Sequence, residues 1–187
     1  MARSPLPTYR WPRRQYEQLV EAGVLSEEDR VELIDGRIVP MSPQNSRHAT
    51  AVTLCRQALD AACPDGCFVR TQAPLALGTH SEPEPDLALI SGRPSAYWTE
   101  HPTTAALVVE VADTSLEKDR SEKRRLYATH DIPEYWIANL TAPAVEVYRG
   151  PEDGEYTTKR TLDRTETLHL SAVSADPIAV SNLIPDT

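Results

Sequence analysis

Leu107-Val108-Val109-Glu110-Val111 sets a carboxylate in the middle of an apolar, largely β-branched run that holds no glycine or proline. Such a run reads as a buried strand. An ionised carboxylate left unpaired there costs on the order of several kcal/mol, so Glu110 is expected to meet a cation, a metal ion or hydrogen-bond donors. Alternation along the strand puts it on one face with Ala106, Val108 and Ala112. The neighbouring segments offer partners. Upstream, Pro85-Asp86-Leu87-Ala88-Leu89-Ile90 repeats the pattern, with Asp86 at the head of a second apolar strand. Downstream, residues 116–130 read as a helix carrying Asp119, Lys123 and Tyr127 at i, i+4 and i+8, which aligns them on one stripe. Two strand carboxylates and a lysine on the next helix suggest a metal-dependent hydrolytic site.

A chain of 187 residues fits one domain, expected over 1–187 with its core at about 30–150. Three prolines in residues 1–12 suit an arm along the surface. The net charge of −9 argues against a protein that coats nucleic acid, which needs a basic surface. A local strip can still bind phosphates, and Lys118, Arg120, Lys123, Arg124 and Arg125 form one in sequence. Cys55, Cys63 and Cys67 are too few and too unevenly spaced for a zinc site. No apolar stretch follows the basic N-terminus, and the run around Glu110 is too short to span a bilayer, so the expected location is the cytoplasm.

The remaining elements follow from local signals. Arg13 to Glu21 reads as a short helix ended by Gly23. Asp35-Gly36 between two apolar runs predicts a hairpin. Glu32, just before that turn, reads locally as a solvated strand residue paired with Arg37, the alternative being a carboxylate bordering the site. Asn45 caps a predicted helix to about Ala62, with His48 in its first turn, where a histidine is more often structural than a ligand. Residues 67–70 and 73–77 read as two short strands. Gly92 to Thr104 is an irregular connector bearing Tyr97 and Trp98. A third core strand is expected near Tyr135–Asn139, then a half-exposed antiparallel strand at Val145–Arg149, a turn over Gly150–Gly154 and short strands in the tail.

The chemistry of this pattern is that of a hard divalent cation. Mg²⁺ (or Mn²⁺) takes oxygen ligands, commonly one or two carboxylates completed by water and substrate phosphate. Asp86 and Glu110 are the candidate metal ligands and Lys123 the candidate cation for the scissile phosphate or attacking water. Asp119, one turn earlier, is placed to orient Lys123. Lys118, Arg120 and Arg124 are candidate substrate contacts. Two other readings fit the same spacing: a buried structural pair of Glu110 and Lys123, or an acid/base pair of carboxylates for glycoside hydrolysis.

Five motifs in order carry a closer likeness. Glu32-Leu33-Ile34-Asp35-Gly36, Pro85-Asp86-Leu87-Ala88, Leu107-Val108-Val109-Glu110-Val111, Asp119-Arg120-Ser121-Glu122-Lys123 with Tyr127, and Pro133-Glu134-Tyr135-Trp136-Ile137 together resemble the Uma-type restriction endonuclease-like family, a branch of the PD-(D/E)XK nuclease superfamily. The resemblance runs from about Tyr16 to Tyr156. It implies an α/β (α+β) restriction-endonuclease-like core, a central mixed sheet flanked by helices, with the N-terminal β-hairpin added. It implies a Mg²⁺- or Mn²⁺-dependent endonuclease acting on DNA, with Asp86 and Glu110 as the two acidic halves of the motif. The superfamily pattern sets a lysine two residues after the second acid, where this chain has Ala112; in this family the lysine looks displaced to the following helix, which points to Lys123. The likeness also adds Glu32 and His48 to the candidate site. It implies a homodimer, for which the Trp98 loop or the Val145–Arg149 strand is a candidate interface. The alternative function is a nuclease-fold binding module without cleavage.

Overall fold

A computed structural model describes residues 8–185. Six strands form one mixed sheet in the order β3-β4-β5-β6-β7-β8: β3 (Cys67–Thr71), β4 (Leu87–Ser91), β5 (Leu107–Ala112), β6 (Glu134–Asn139), β7 (Ala144–Glu152) and β8 (Glu155–Asp163). Only β5 and β6 run parallel, with Glu110 opposite Ile137. A parallel pair needs a crossover, and residues 116–129 supply it as a helix. That helix begins as α3 (Leu116–Lys118), widens to a π turn over Asp119–Lys123 and ends as α4 (Arg124–Thr129).

Alternation along the strands sorts the core into two layers. Leu87, Leu89, Val109, Val111 and Trp136 pack against α2 (Ser46–Ala62), through Val52, Cys55 and Leu59. Ala88, Ile90, Val108, Ala112, Tyr135 and Ile137 face the other way, towards Leu126, Tyr127 and Ala128. Glu110 lies on this second face by register, between Val108 and Ala112. Ala106 precedes the strand and packs on the opposite side, contrary to the alternation expected for it. Asn45 caps α2 as expected, its side chain accepting a hydrogen bond from the His48 N–H at 2.9 Å.

Before the sheet come α1 (Arg13–Glu21) and a separate hairpin of β1 (Val31–Ile34) and β2 (Arg37–Pro40). Asp35 and Gly36 both take positive φ, 50° and 73°, the two-residue turn the dipeptide predicts. The hairpin docks on the core by antiparallel bonds between Leu33 and Glu82. Of the arm expected over residues 1–12, positions 1–7 lie outside the described residues. Trp11 N–H donates to Gly36 O at 2.8 Å, so the following stretch lies against the hairpin turn.

Three expectations are corrected. Residues 73–77 form no strand: Pro74 has no N–H to give, and Leu75 and Ala76 hydrogen-bond instead to Pro83 O and Pro102 O. The turn expected over Gly150–Gly154 is narrower, because β7 continues to Glu152 and only Asp153 and Gly154 reverse the chain. Val145–Arg149 is not a half-exposed interface strand. Residues 145–148 are buried and β7 is paired on both edges, by β6 and β8. Trp98, in contrast, is 89% exposed.

Candidate active site

β4 and β5 pair antiparallel, which brings the start of one beside the end of the other. Asp86, just before β4, therefore reaches Glu110 late in β5. Asp86 Oδ2 accepts a hydrogen bond from Val111 N–H at 2.8 Å, and Asp86 N–H makes a long contact of 3.4 Å to Glu110 Oε2. Asp86 is also held from outside the sheet. Gln72 Nε2 donates to Oδ1 at 3.2 Å, and His48 Nε2 lies 3.1 Å from Oδ2. The Asp86 contact raises the His48 pKa, more than burial lowers it. The other ring nitrogen of His48, Nδ1, is buried without a hydrogen-bond partner among the described residues.

The crossover helix supplies the cations. Lys123 is 4% exposed, and its Nζ lies 2.6 Å from Glu32 Oε2 and 3.2 Å from Glu110 Oε1. Lys118, one turn earlier, gives a second ammonium to Glu32 at 2.9 Å. Glu32 is thus no solvated strand residue. It is 2% exposed, and Arg37, its expected partner, pairs with Glu122 at 3.6 Å instead. Burial opposes the charge on Glu32, but Lys123 and Lys118 outweigh it and hold the carboxyl below its ordinary range. Glu110 behaves oppositely. Burial pushes it up to about 8, against the pull of Lys123 and with the repulsion of Asp86, Asp119 and Glu32 added. Lys123 is itself raised, since Glu110 and Glu32 overcome the cost of burying it.

Asp119 joins this group but does not orient Lys123 by hydrogen bonding. It accepts from Ser115 Oγ at 2.5 Å, and burial raises it to about 6. The sequence strip of basic residues also divides. Lys118 and Lys123 face the carboxylates, whereas the Arg120 guanidinium pairs with Glu146, and Arg124 pairs with Glu155 at 2.8 Å and lies over the Tyr148 ring. Helical geometry is the cause, since successive residues turn by about 100° and a run of adjacent cations encircles the helix. Sequence reasoning assigned no role to Ser115 or Glu146. The spacing of Ser115 to Asp119, one helical turn, was the available signal for the first. Glu146 gave none, because its alternating strand looks solvated until the helix and β8 cover it.

A cavity of about 60 Å³ opens over Asp86 and Glu110, bordered by Arg30, Glu32, His48, Lys118 and Lys123. Among the described residues no three or more His, Cys, Asp and Glu converge as a complete metal cage. The two carboxylates nevertheless fit a hard cation of the Mg²⁺ type, which needs only one or two protein oxygens and fills the rest of its shell with water and phosphate. The cavity has room for a water ligand.

Residues 13–179 match the model of the Uma2 family, described as "Putative restriction endonuclease". The chain belongs to this family. It is similar in structure to a protein of Anabaena variabilis ATCC 29413, described as a putative nuclease belonging to DUF820, at 15% identity and a TM-score of 0.65. The match covers 83% of this chain and 90% of the other, and at that identity it establishes the fold. No curated protein matches the chain. In this Uma2-family chain Ala112 is 0% exposed and packs in the layer beneath the crossover helix, while the ammonium beside Glu110 comes from Lys123 on that helix. No helix among the described residues is long and apolar enough to cross a membrane.

Proposed function

We propose that this protein is a Mg²⁺- or Mn²⁺-dependent endonuclease that hydrolyses DNA phosphodiester bonds in the cavity over Asp86 and Glu110. One observation carries the reading: Asp86, Glu110 and Lys123 converge on one small cavity, though they come from two strands and a helix. The family supports a nuclease, and the donor set supports the metal. Asp86 and Glu110 would hold the cation, which when bound polarises the phosphodiester and acidifies a water. Lys123, fixed by Glu32 and Glu110, offers a constant positive charge to the phosphate as negative charge builds on it. Lys118 is 26% exposed at its side chain, so it can lean from Glu32 towards an arriving phosphate. Arg30, also on the cavity wall, is the second candidate contact for the strand. Glu32 keeps both ammonium groups charged and in place. The Gln72 and Val111 hydrogen bonds fix the Asp86 carboxylate before any ligand arrives, which lowers the ordering cost of binding.

Incubating supercoiled plasmid with the wild-type protein in Mg²⁺, Mn²⁺ or EDTA, beside Glu110→Ala, tests the proposal. Nicking or linearisation is expected with either metal and not with EDTA, and the variant should lose at least a hundredfold in rate, about 2.7 kcal/mol of transition-state stabilisation. Metal-independent cleavage, or equal rates in the two proteins, would remove Glu110 from the chemistry. DNA binding without cleavage by the wild type would instead mark a binding module on a nuclease fold.

A further inference from the structure

The two oxygens of Glu110 have different surroundings. Oε1 accepts a hydrogen bond from the Tyr127 hydroxyl at 2.7 Å and has Lys123 Nζ at 3.2 Å. Oε2 faces Asp86 and, among the described residues, has only the long 3.4 Å contact from the Asp86 N–H. Tyr127 is 0% exposed, and its ring packs on Tyr135 with centroids 5.0 Å apart, so the hydroxyl cannot swing away without disturbing the core.

We propose that Tyr127 is a positioning residue that occupies Glu110 Oε1 and so restricts this carboxylate to one metal-binding oxygen, Oε2, selecting Mg²⁺ over Ca²⁺. The inference rests on the metal-ion reading above. Its physical basis is the difference between the two cations. Mg²⁺ demands a near-ideal octahedron and takes single carboxylate oxygens among waters, whereas Ca²⁺ takes more ligands and favours carboxylates that chelate through both oxygens. A glutamate with one oxygen committed to a buried phenol and an ammonium suits the smaller ion. The helical stripe of Lys123 and Tyr127 thus acts on a single atom from two sides, one donor charged and one neutral.

The test is calorimetric titration of the DNA-free protein with Mg²⁺ and, separately, with Ca²⁺, for wild type, Tyr127→Phe and Tyr135→Phe. Phenylalanine at 127 keeps the ring and removes the donor. Tyr135→Phe is the control for losing a buried hydroxyl, since that group donates to Asp119 O at 3.1 Å and does not bond Glu110. The wild type is expected to prefer Mg²⁺. Tyr127→Phe should lower Mg²⁺ affinity by roughly tenfold or more and shift the Mg²⁺:Ca²⁺ affinity ratio towards Ca²⁺, while Tyr135→Phe leaves the ratio at the wild-type value. An unchanged ratio in Tyr127→Phe, or an equal shift in both variants, overturns the assignment. A wild type that binds neither ion overturns the metal reading itself and this inference with it.

Discussion

With Nζ 2.6 Å from Glu32 and 3.2 Å from Glu110, Lys123 is the shared counter-ion of two buried carboxylates. Removing it strands Glu110 away from water without a cation and leaves Glu32 to Lys118 alone. Lys123→Met is therefore expected to destabilise the protein by about 3–5 kcal/mol, the range for deleting one partner of a buried ion pair, and to abolish cleavage. Arg124, the next residue, makes its pair with Glu155 at the surface, where both side chains are partly in solvent. Arg124→Ala should cost under about 1 kcal/mol. Urea denaturation of the two variants measures the contrast. Equal losses would mean that Lys118 suffices for Glu32 and that Glu110 is accommodated without the ammonium.

At the scale of elements, the hairpin is the part that brings Glu32 over the helix, and its turn depends on Gly36. A Cβ at that position would stand 2.8 Å from Arg10 Cβ, and φ is +73°. Gly36→Ala should cost about 1–2 kcal/mol from the left-handed backbone, with the steric contact added. Thermal melts would register the loss, and a melting temperature equal to the wild type would show that the arm and turn rearrange freely. The Asp-Gly pair, the Asn45 cap, the apolar runs of β4 and β5 and the crossover helix were all legible in the sequence because each is specified by residues a few positions apart. So were Asp86, Glu110 and Lys123 as a group, since an acid inside an apolar strand demands a partner. What sequence could not supply was long-range coverage. Glu32 reads as solvated until β1 folds over residues 118–123, and Glu146 reads as exposed until helix and β8 close on it. Leu75 to Leu77 are buried, as their apolar character suggests, yet they take their hydrogen bonds from loops instead of a strand partner. The helix itself departs from regularity where it matters: Arg124 N–H reaches back to Asp119 O, a π turn spanning the two site residues Asp119 and Lys123. Such bulges recur at functional sites, and no residue type in this stretch announces one.

Across the whole molecule, Glu146 ties the sheet to the crossover helix two strands away from Glu110. It is 2% exposed and receives the Arg120 guanidinium from the helix, Lys159 from β8 at 2.7 Å and the Tyr148 hydroxyl at 2.6 Å. Burial alone would raise its pKa, but these three donors hold it down at about 2. The unfolded chain binds a proton at this residue near its ordinary value of 4.5, and the native state does so only near 2. The stabilisation is therefore complete above the unfolded value and drains away as pH falls through that interval. Melting temperature should drop more steeply between about pH 5 and about pH 2.5 in the wild type than in Glu146→Gln, and parallel curves would count against the linkage. The same face of the sheet carries a different lesson at position 112. Since the ammonium beside Glu110 is delivered by the crossover helix, position 112 is released to serve as a small packing residue in the sheet. On the function proposed above, the catalytic signature exists as an arrangement in space and no longer as adjacent letters. Genome surveys that look for an acid and a lysine at fixed linear spacing will pass over chains built this way, and inventories of such nucleases drawn from text patterns alone will run short.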